Sequence, residues 1–354
     1  MHVLSVVGAR PQFVKLAPIA HALEGRARHT VVHTGQHYDD NMSDSFFRDL
    51  GIPAPDVNLA VGSGPHGKQT GSMLASLEPV FEDYRPDWVL VYGDTNSTLA
   101  AAVAAVKLHL PLAHLEAGLR SFNRRMPEEH NRVLTDHAAD LLLAPTEVAM
   151  RHLDDEGLAD RSVLVGDVMT DVLYRTRDRV AAAPPSSTGL PDGEYLVATL
   201  HRPDNTDDPA RLEAIVSSLA GLDRPVLLVA HPRLVAAAER AGVELARGPI
   251  RVIAPLSYPE LVWAVSNAAG VVTDSGGLQK EAFLLRVPCT TVRPETEWVE
   301  TVELGWNVLV GDRLGELASA VSRPRPAETA ATPYGDGHAA ERVVDTLLER
   351  RISV

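Results

Sequence analysis

The chain has 354 residues, of which 45% are hydrophobic and 23% are charged, and its formal net charge is −14 at pH 7. This length is sufficient for two domains, and the hydrophobic content is ordinary for a globular protein in water. The negative charge argues against a general surface for nucleic acid or for anionic membranes, but it is compatible with one local basic pocket for an anionic ligand.

The chain begins directly with a predicted strand. The N-terminal MHVLSVVGAR lacks the basic start and the apolar length of a signal peptide, and no segment reaches the roughly 18 apolar residues of a membrane span. The single cysteine, Cys289, has apolar neighbours, which excludes a disulfide framework and favours a buried side chain over a nucleophile. We therefore expect a cytoplasmic protein that does not bind a membrane.

In the first half of the chain, short β-branched runs alternate with longer helical patterns. The predicted strands are HVLSVVG (2–8), HTVVHTG (29–35), DWVLVYGD (87–94), LPLAHLEAG (110–118) and DLLLAPT (140–146), and SVLVGDVMTDVLY (162–174) predicts a last strand and the exit from the sheet. Helical patterns follow them, such as the alanine-rich TLAAAVAAVKLH after the third strand. This alternation predicts a parallel sheet with helices on both faces.

The pattern starts again after a connection rich in proline, glycine and serine, APPSSTGLPDG (183–193). A second series of strands is predicted at EYLVATLH (194–201), RPVLLVAH (224–231), IRVIAPL (250–256), GVVTDS (270–275) and VPCTTV (287–292). We expect two Rossmann-like α/β domains, 1–168 and 169–337, with the boundary between residues 167 and 190. The last segment, HAAERVVDTLLERRI (338–352), predicts an amphipathic helix.

Polar residues gather where the predicted strands end. They occur at Gly8-Ala9-Arg10, Gly35-Gln36-His37, Gly93-Asp94-Thr95, Glu116-Ala117-Gly118, Thr199-Leu200-His201-Arg202, His231-Pro232-Arg233 and Asp274-Ser275-Gly276-Gly277. In open α/β sheets, ligands bind outside the carboxyl ends of the strands. Because both halves of the chain supply such ends, we expect a site in a cleft between the two domains.

The stretch TDSGGLQKEA (273–282) places a serine and two glycines between a strand and a helix. One interpretation is a tight turn with Ser275 as a helix cap. The other is an anion site, because the first turn of a helix has free N–H groups and glycine lets a phosphate approach the backbone. The spacing matches neither the dinucleotide-binding motif nor the P-loop.

The segment HLEAGLRSFNRRMPEEHNR (114–132) carries the densest charge. A solvated helix face is the ordinary explanation, and acidic residues such as Glu128 and Glu129 suit a helix start. However, Glu116 ends an apolar strand, where an ionised carboxylate is costly unless it is paired or used. With Asp94 at another strand end, several carboxylates in one cleft permit one acid and one base.

Cations lie near two of the predicted strand ends. Arg10 and Lys15 flank the first strand–helix turn, and His201-Arg202 follows the first strand of the second domain. Each is compatible with a phosphate or sugar contact, or with a solvated helix start, and His201 is also compatible with a general acid. The chain has 14 histidines but neither HExxH nor a Cys/His cluster, so we predict no metal site.

Taken together, these motifs resemble the UDP-N-acetylglucosamine 2-epimerase family over nearly the whole chain. The matching segments are GARPQFVKLAP, TGQHYDDNMS, VYGDTNSTLAAAVAA, HLEAGLRSFNRRMPEEHNR, ATLHRPDN, TDSGGLQKEA and TEWVETVELGWNVLVG. The resemblance implies the two-domain GT-B architecture, with the C-terminal helix (338–354) packing back on the first domain. It also implies a homodimer, for which AAAVAAVKLHL (100–110) gives weak support as an apolar helix.

The resemblance implies a non-hydrolysing epimerase that interconverts UDP-GlcNAc and UDP-ManNAc. The C2 proton of the sugar is not acidic, so the family eliminates UDP to a 2-acetamidoglucal and then adds UDP back with protonation on the other face. This chemistry needs neither NAD nor a metal. A hydrolysing epimerase, a GT-B glycosyltransferase and a non-catalytic sensor of nucleotide sugars are the alternatives.

The resemblance also assigns roles to particular residues. The acid/base carboxylates fall on Asp94, Glu116 and Glu128, and the cleft histidine falls on His201. The expected substrate contacts are Arg10, Lys15, Arg120, Arg202, Ser275, Gly276, Gly277 and the ribose-binding Glu281. A site for an activating second substrate matches in part at Gln36, His37 and Gln69.

Some positions depart from the pattern of the family. The second domain has His201-Arg202-Pro203-Asp204 where HRRE is usual, and Lys280 stands where glutamate is frequent. Arg233 replaces the asparagine that often follows HP, and TEWVE is an unusual version of its motif. These departures indicate a distinct branch, in which the sugar can be a modified UDP-HexNAc.

Overall fold

The structure is a computed structural model that describes residues 1–36, 54–183 and 195–350, except for the side chain of Arg10. The chain divides into two compact units. Unit 1 comprises Met1–Val172 and Thr332–Val354, and unit 2 comprises Leu173–Ala331. The division falls four residues beyond the predicted boundary at 168, and the chain returns to unit 1 six residues before the predicted return at 338.

Unit 1 contains a parallel sheet in the order β3-β2-β1-β4-β5-β6-β7. Its strands are β1 (His2–Val7), β2 (Arg28–His33), β3 (Val57–Asn58), β4 (Trp88–Tyr92), β5 (Leu112–Leu115), β6 (Leu141–Ala144) and β7 (Ser162–Leu164). The strands β2 and β3 lie on one side of β1, and β4 to β7 lie on the other, so the direction of the strand order reverses between β1 and β4. The ends of these two strands therefore flank the crevice where ligands bind in such sheets.

Helices cover both faces of this sheet. They are α1 (Arg10–Leu23), α2 (His66–Tyr84), α3 (Asn96–Lys107), α4 (Pro127–Ala138), α5 (Glu147–Asp155) and α6 (Val168–Ala182), which continues into unit 2. Side chains alternate along β1, so that Val3 and Val7 pack with α1 while Leu4 and Val6 pack with α2 and α3. Both cores are fully buried along the central strands.

The C-terminal helix, α14 (Ala339–Glu349), belongs to the core of unit 1 and lies against α1. Its residues Val343, Val344 and Leu347 are fully buried. The Asp171 carboxylate accepts hydrogen bonds from the first backbone N–H groups of the helix, those of Ala339 (3.0 Å) and Ala340 (2.8 Å). This cap suits the positive end of the helix dipole and fixes where the helix begins.

Unit 2 contains a second parallel sheet, in the order β10-β9-β8-β11-β12-β13. Its strands are β8 (Leu196–Thr199), β9 (Val226–Val229), β10 (Ile250–Ile253), β11 (Gly270–Thr273), β12 (Cys289–Thr291) and β13 (Asn307–Leu309). In this sheet β9 and β10 lie on one side of β8, and β11 to β13 lie on the other, so the direction of the strand order reverses between β8 and β11. The two sheets confirm the predicted fold class of two parallel α/β domains.

The helices of unit 2 are α7 (Pro203–Thr206), α8 (Pro209–Ala220), α9 (Pro232–Ala241), α10 (Tyr258–Ser266), α11 (Gly276–Leu284), α12 (Val299–Glu303) and α13 (Leu317–Val321). One face of the sheet packs with α8, and the other packs with α10 and α11. Cys289 lies fully buried in the second of these cores. Among the described residues, every helix is too short or too polar to cross a membrane.

Candidate active site

Two carboxylates follow neighbouring strands of unit 1. Asp94 comes after β4 and Glu116 comes directly after β5, which pairs with β4 in parallel. Glu116 has a left-handed backbone, with φ of 74°, which is uncommon for a residue with a side chain. A Cβ atom on Gly93 would lie 3.0 Å from a Glu116 carboxylate oxygen and 3.2 Å from Lys15 Nζ. The glycine therefore lets the two strand ends come close together.

Each of these carboxylates forms an ion pair with one cation. Lys15, on α1, pairs with Glu116, and both side chains are only 14% exposed. Arg132, on α4, pairs with Asp94. Burial by itself lowers the pKa of Lys15 and of Arg132, but the neighbouring carboxylates outweigh it and raise both pKa values above the ordinary range. Both cations therefore stay charged at neutral pH.

The start of α4 also makes a contact with the backbone of Asp94. Asn131 donates a side-chain hydrogen bond to the Asp94 carbonyl oxygen (2.9 Å) and another to Asn96 Oδ1 (3.3 Å). Asn131 is almost completely buried. Glu128, one turn earlier on the same helix, is exposed. The structure thus brings Asp94, Glu116 and their cations together, while Glu128 lies at the surface of α4.

Glu129 has a structural role in the loop before α4. Its carboxylate accepts hydrogen bonds from the backbone N–H groups of Ser121 (2.9 Å) and Phe122 (2.8 Å), and it forms an ion pair with Arg132 (3.0 Å). Burial alone raises the pKa of Glu129, but these donors outweigh burial and lower it. Glu129 therefore closes the loop and also orients the guanidinium that reaches Asp94.

Arg120, a predicted substrate contact, has two internal partners, and its contact with substrate stays a prediction. Its guanidinium is 1% exposed and is committed to two carboxylates, Asp136 (2.7 Å) and Glu156 (2.7 and 2.8 Å). A buried arginine that gives up these partners would leave uncompensated charges behind. We therefore assign Arg120 to the internal support of the turn after β5.

The loop between β1 and α1 is held by Gln12, which is 1% exposed. Its side-chain oxygen accepts from the N–H groups of Gly8 (2.8 Å) and Ala9 (3.0 Å), and its nitrogen donates to the Tyr92 carbonyl (2.8 Å). These bonds join the end of β1 to the end of β4 and set the start of the helix that carries Lys15. Arg10 is the first residue of that helix, and its side chain lies outside the described atoms.

The predicted activator site falls on a network of internal hydrogen bonds. Gln36 accepts from the N–H (3.1 Å) and hydroxyl (2.7 Å) of Ser97, and Gln69 donates to the Gly62 carbonyl (2.9 Å) and accepts from Asn96 (2.8 Å). Both glutamines are buried. His37 lies outside the described residues. Gln36 and Gln69 therefore connect loops of unit 1 to the start of α3.

In unit 2, His201 follows β8 and faces Asp274, which follows β11. The Asp274 carboxylate has no exposed surface and accepts from the backbone N–H groups of His201 and Arg202, from Asn205 (3.2 Å) and from His201 Nδ1 (3.0 Å). Burial alone raises the pKa of Asp274, but these donors outweigh it and lower it. The His201 ring is therefore fixed through Nδ1, while its side chain remains 39% exposed.

The predicted anion site forms the first turn of α11, directly after β11. Ser275 is the N-cap residue, and its hydroxyl accepts from the Leu278 N–H (3.5 Å). A Cβ atom on Gly276 would collide with the Glu297 carboxylate, whereas one on Gly277 would meet nothing within 4 Å. The space above Gly277 is therefore open at the positive end of a nine-residue helix.

Two further positions of α11 complete this region. Glu281 accepts a hydrogen bond from the Tyr258 hydroxyl (3.1 Å) and is partly exposed. Lys280 lies 4.3 Å from the centre of the Trp298 ring, which contributes a cation–π contact at a position where the family often has glutamate. Within the described parts of the chain, no cluster of three or more His, Cys, Asp and Glu side chains could hold a metal ion.

Sequence reasoning missed several of the residues that hold these groups. Arg132 and Asn131 lie one turn after Glu128, so helical spacing was the available signal. Asp274 was visible only as a strand end.

The fold and the strand-end residues of both units define an α/β enzyme of GT-B architecture. The chain belongs to the UDP-N-acetylglucosamine 2-epimerase family, whose sequence model matches residues 21–348.

Several relatives match this chain over nearly all of its length and of their own. A UDP-2,3-diacetamido-2,3-dideoxy-D-glucuronate 2-epimerase of Pseudomonas aeruginosa is 47% identical, over 99% of this chain and all of the relative. The UDP-GlcNAc 2-epimerase of Methanocaldococcus jannaschii, solved with UDP-GlcNAc and UDP, has a TM-score of 0.84 and 39% identity, over 98% of this chain and 99% of its own.

A third relative shows that the fold persists at lower identity. The UDP-GlcNAc 2-epimerase of Neisseria meningitidis, bound to UDP-GlcNAc, has a TM-score of 0.84 and 28% identity, over 99% of this chain and all of its own. The family and these relatives make the chain an epimerase, which is an isomerase.

Proposed function

We propose that this chain is a non-hydrolysing epimerase that inverts C2 of UDP-N-acetylglucosamine to give UDP-N-acetylmannosamine. The observation that carries the proposal is the pair of strand-end carboxylates, Asp94 and Glu116, each in an ion pair with its own buried cation. Two carboxylates on adjoining strands can serve the two faces of one sugar carbon. The relatives solved with UDP-GlcNAc support the choice of substrate.

The reaction proceeds by elimination and re-addition. A carboxylate of unit 1 removes the C2 proton, the electrons of the C2–H bond form the C1=C2 double bond, and the C1–O bond breaks with its electrons leaving on UDP. UDP then adds back at C1 while a proton is delivered to the other face of C2. Asp94 and Glu116 hold and move this proton, and Lys15 and Arg132 compensate the charge of the carboxylates.

Unit 2 binds the leaving group in this proposal. The first turn of α11, with Ser275 and Gly277, offers N–H groups and a positive helix end to the diphosphate. His201, oriented by Asp274, and Arg202 add donors beside it. Charge grows on the diphosphate as the C1–O bond breaks, so fixed donors there stabilise the transition state. Glu281 is the proposed acceptor for the ribose hydroxyls.

Three assignments rest on the resemblance to the family. Glu128 is the proposed third carboxylate, although it is exposed on α4. Gln36 and Gln69 are the proposed activator contacts, although their side chains are used internally. Arg10 is a proposed substrate contact next to Lys15.

Proton NMR with UDP-GlcNAc in D₂O, with no metal and no NAD added, tests the proposal. We expect UDP-ManNAc to appear, with deuterium at C2 of both sugars, because the C2 proton exchanges with solvent while the glucal is held. Free ManNAc with UDP would instead indicate a hydrolysing epimerase. Transfer of the sugar to an added acceptor would indicate a GT-B glycosyltransferase.

A second candidate substrate is a UDP-HexNAc with a carboxylate at C6 and a 3-acetamido group. The 47% identity to the Pseudomonas aeruginosa enzyme named for UDP-2,3-diacetamido-2,3-dideoxy-D-glucuronate favours it. The elimination at C1 and C2 is the same for both sugars, so only kcat/KM for the two substrates distinguishes them. A ratio above about one hundred in favour of either sugar, about 3 kcal/mol of discrimination, would identify the substrate.

We also propose a cytoplasmic homodimer. The single buried cysteine is compatible with a reducing compartment. The structure corrects one argument for the dimer, because the alanines of α3 are fully buried inside unit 1 and are not available to a partner. The homodimer therefore rests on the family, and the mass of the native particle by multi-angle light scattering tests it.

A further inference from the structure

His114, in the middle of β5, is fully buried and makes two short hydrogen bonds. Its Nδ1 lies 2.6 Å from Asp136 Oδ1, and its Nε2 lies 2.7 Å from the carbonyl oxygen of Gly93. The Asp136 side chain is also completely buried. This histidine has no part in the reaction described above, yet its two partners lie next to both carboxylates of the site.

Both partners of His114 accept hydrogen bonds. A carbonyl oxygen cannot donate, and Asp136 is an ionised acceptor because its other oxygen pairs with the Arg120 guanidinium at 2.7 Å and accepts from the Gly118 N–H at 3.1 Å. A neutral imidazole carries a proton on only one nitrogen, so its other lone pair would face an oxygen at 2.6 or 2.7 Å. The geometry therefore requires a proton on each ring nitrogen.

The charged groups that face His114 and its partners come from α4, the end of α5 and the loop after β5. Asp136 faces the ring from α4, and Arg120 reaches Asp136 from the loop after β5 at 2.7 Å. Glu156 pairs with Arg120, and its other neighbour, His137, is half exposed. Asp136 thus faces the ring with one oxygen while Arg120 holds the other.

We propose that His114 is held as an imidazolium and is a positioning residue for the proposed epimerisation, on which this inference rests. One end of the ring fixes the carbonyl of Gly93, directly before Asp94. The other end acts through Asp136, whose second oxygen accepts from the N–H of Gly118 (3.1 Å), two residues after Glu116. The charged ring and its two hydrogen-bonded partners, Gly93 and Asp136, thus hold the backbone next to both carboxylates. We call this arrangement the clamp.

The backbone at these anchors explains why such a clamp is useful. Gly93, Glu116 and Gly118 have φ values of 60°, 74° and 82°, all in the left-handed region. A glutamate in this conformation persists only where its surroundings hold it. Displacement of a reacting group by about 1 Å can reduce the rate about a hundredfold. Loss of the clamp should therefore reduce kcat and leave the nucleotide affinity of unit 2 unchanged.

The protonation state is tested on the native enzyme by NMR of a sample with ¹⁵N-labelled histidine, with His114 assigned through its backbone. We expect both ring nitrogens of His114 to show the chemical shift of protonated nitrogen in the folded enzyme at neutral pH, because each faces an acceptor oxygen. A nitrogen without a proton at neutral pH would overturn the proposal. This measurement does not depend on the substrate, so it separates the clamp from the proposed function.

The positioning role is tested with His114→Gln, which can donate at only one end of the site. We expect kcat to fall about a hundredfold while the Kd for UDP changes less than about twofold. Two variants serve as controls. His137→Gln changes the half-exposed edge of the same cluster. Trp88→Phe removes a buried hydrogen bond to the Leu347 carbonyl (3.1 Å) at the start of β4, the opposite end of the strand from Asp94.

Both controls should keep kcat within about threefold of the wild type, even where Trp88→Phe lowers the melting temperature. A His114→Gln enzyme with wild-type kcat, or a Trp88→Phe enzyme that loses as much activity, would overturn the positioning role. If His114→Gln does not fold, Asp136→Asn removes the same link from the other side and should give the same split between kcat and the Kd for UDP.

Discussion

Arg132 and Asp94 form an ion pair that joins the first turns of α4 to the end of β4. The neighbouring residue, Asn131, donates to the backbone carbonyl of the same aspartate at 2.9 Å. One turn of helix therefore holds Asp94 through both its side chain and its backbone. Lys15 forms the corresponding ion pair with Glu116. Two helices on two faces of the sheet, α1 and α4, therefore each supply one cation.

We expect Arg132→Gln to lower kcat on the order of a hundredfold, the usual cost of losing one preorganised charged group. Glutamine keeps some length and polarity but removes the charge that faces Asp94 and Glu129. Steady-state kinetics with UDP-GlcNAc measure the effect. Arg151→Gln on α5, which is exposed, is the control and should leave kcat unchanged. Equal rates for both variants would exclude a role for the ion pair.

Asp94→Asn and Glu116→Gln should each abolish detectable epimerisation while the Kd for UDP stays near that of the wild type. The amides retain the shape of the side chains but cannot take a proton from C2, and the proposed diphosphate site is built by unit 2. Turnover followed by NMR and UDP binding followed by calorimetry give the two readouts. Asp154→Asn, on the exposed side of α5, is the matched control. Full activity of both amide variants would show that the carboxylates are assigned wrongly.

The sheet and its functional edge were accessible from the sequence because parallel strands are short apolar runs that stop at polar residues. The predicted strands 87–94 and 110–118 end two and three residues beyond the observed ends of β4 and β5. The strands β3 (Val57–Asn58) and β13 (Asn307–Leu309) were missed, because both lie at the edge of their sheet, where strands can be very short.

The partners of the charged residues were not accessible from the sequence. Arg120 and Arg132 lie in one charged segment and look equivalent, yet Arg120 is held by Asp136 and Glu156 while Arg132 reaches Asp94. The difference depends on position in the fold, because Arg120 lies in the loop after β5 and Arg132 lies on α4. His114 likewise looked like one more polar residue in an apolar strand, and only its two acceptors reveal its charge.

His29 gives a prediction about pH. Burial lowers the pKa of its imidazole from 6.5 to about 4, although Asp56 nearby opposes the effect. The unfolded chain therefore binds more protons than the folded chain between these values. The resulting stability is present above pH 6.5 and is lost as the pH falls towards 4, and the full difference corresponds to about 3 kcal/mol.

We expect the free energy of unfolding of His29→Gln to depend less on pH between 7 and 4 than that of the wild type. Glutamine can keep the hydrogen bond to the Ser5 hydroxyl (2.8 Å) but cannot take up a proton. Urea denaturation at several pH values measures the two curves. His21→Gln, at the exposed end of α1, should keep the wild-type slope. Parallel curves for wild type and His29→Gln would contradict the shifted pKa.

Gly277→Ala tests the proposed diphosphate site without changing the fold. A Cβ atom at Gly277 meets nothing within 4 Å, and the helical backbone accepts alanine, so the variant should fold and be at least as stable as the wild type. The new methyl group would occupy the open space above the first turn of α11, where we place the phosphate. We expect the Kd for UDP to rise about tenfold or more, which corresponds to about 1.4 kcal/mol.

Gly71→Ala is the matched control for Gly277→Ala, because Gly71 lies inside α2 and its added Cβ would also meet open space. Alanine should stabilise α2 by up to about 1 kcal/mol through helix propensity, without any effect on UDP. Calorimetric titration with UDP and thermal melting of both variants compare the two sites. If Gly277→Ala binds UDP as tightly as Gly71→Ala, the diphosphate does not sit on α11, and the binding role of unit 2 must move to His201 and Arg202.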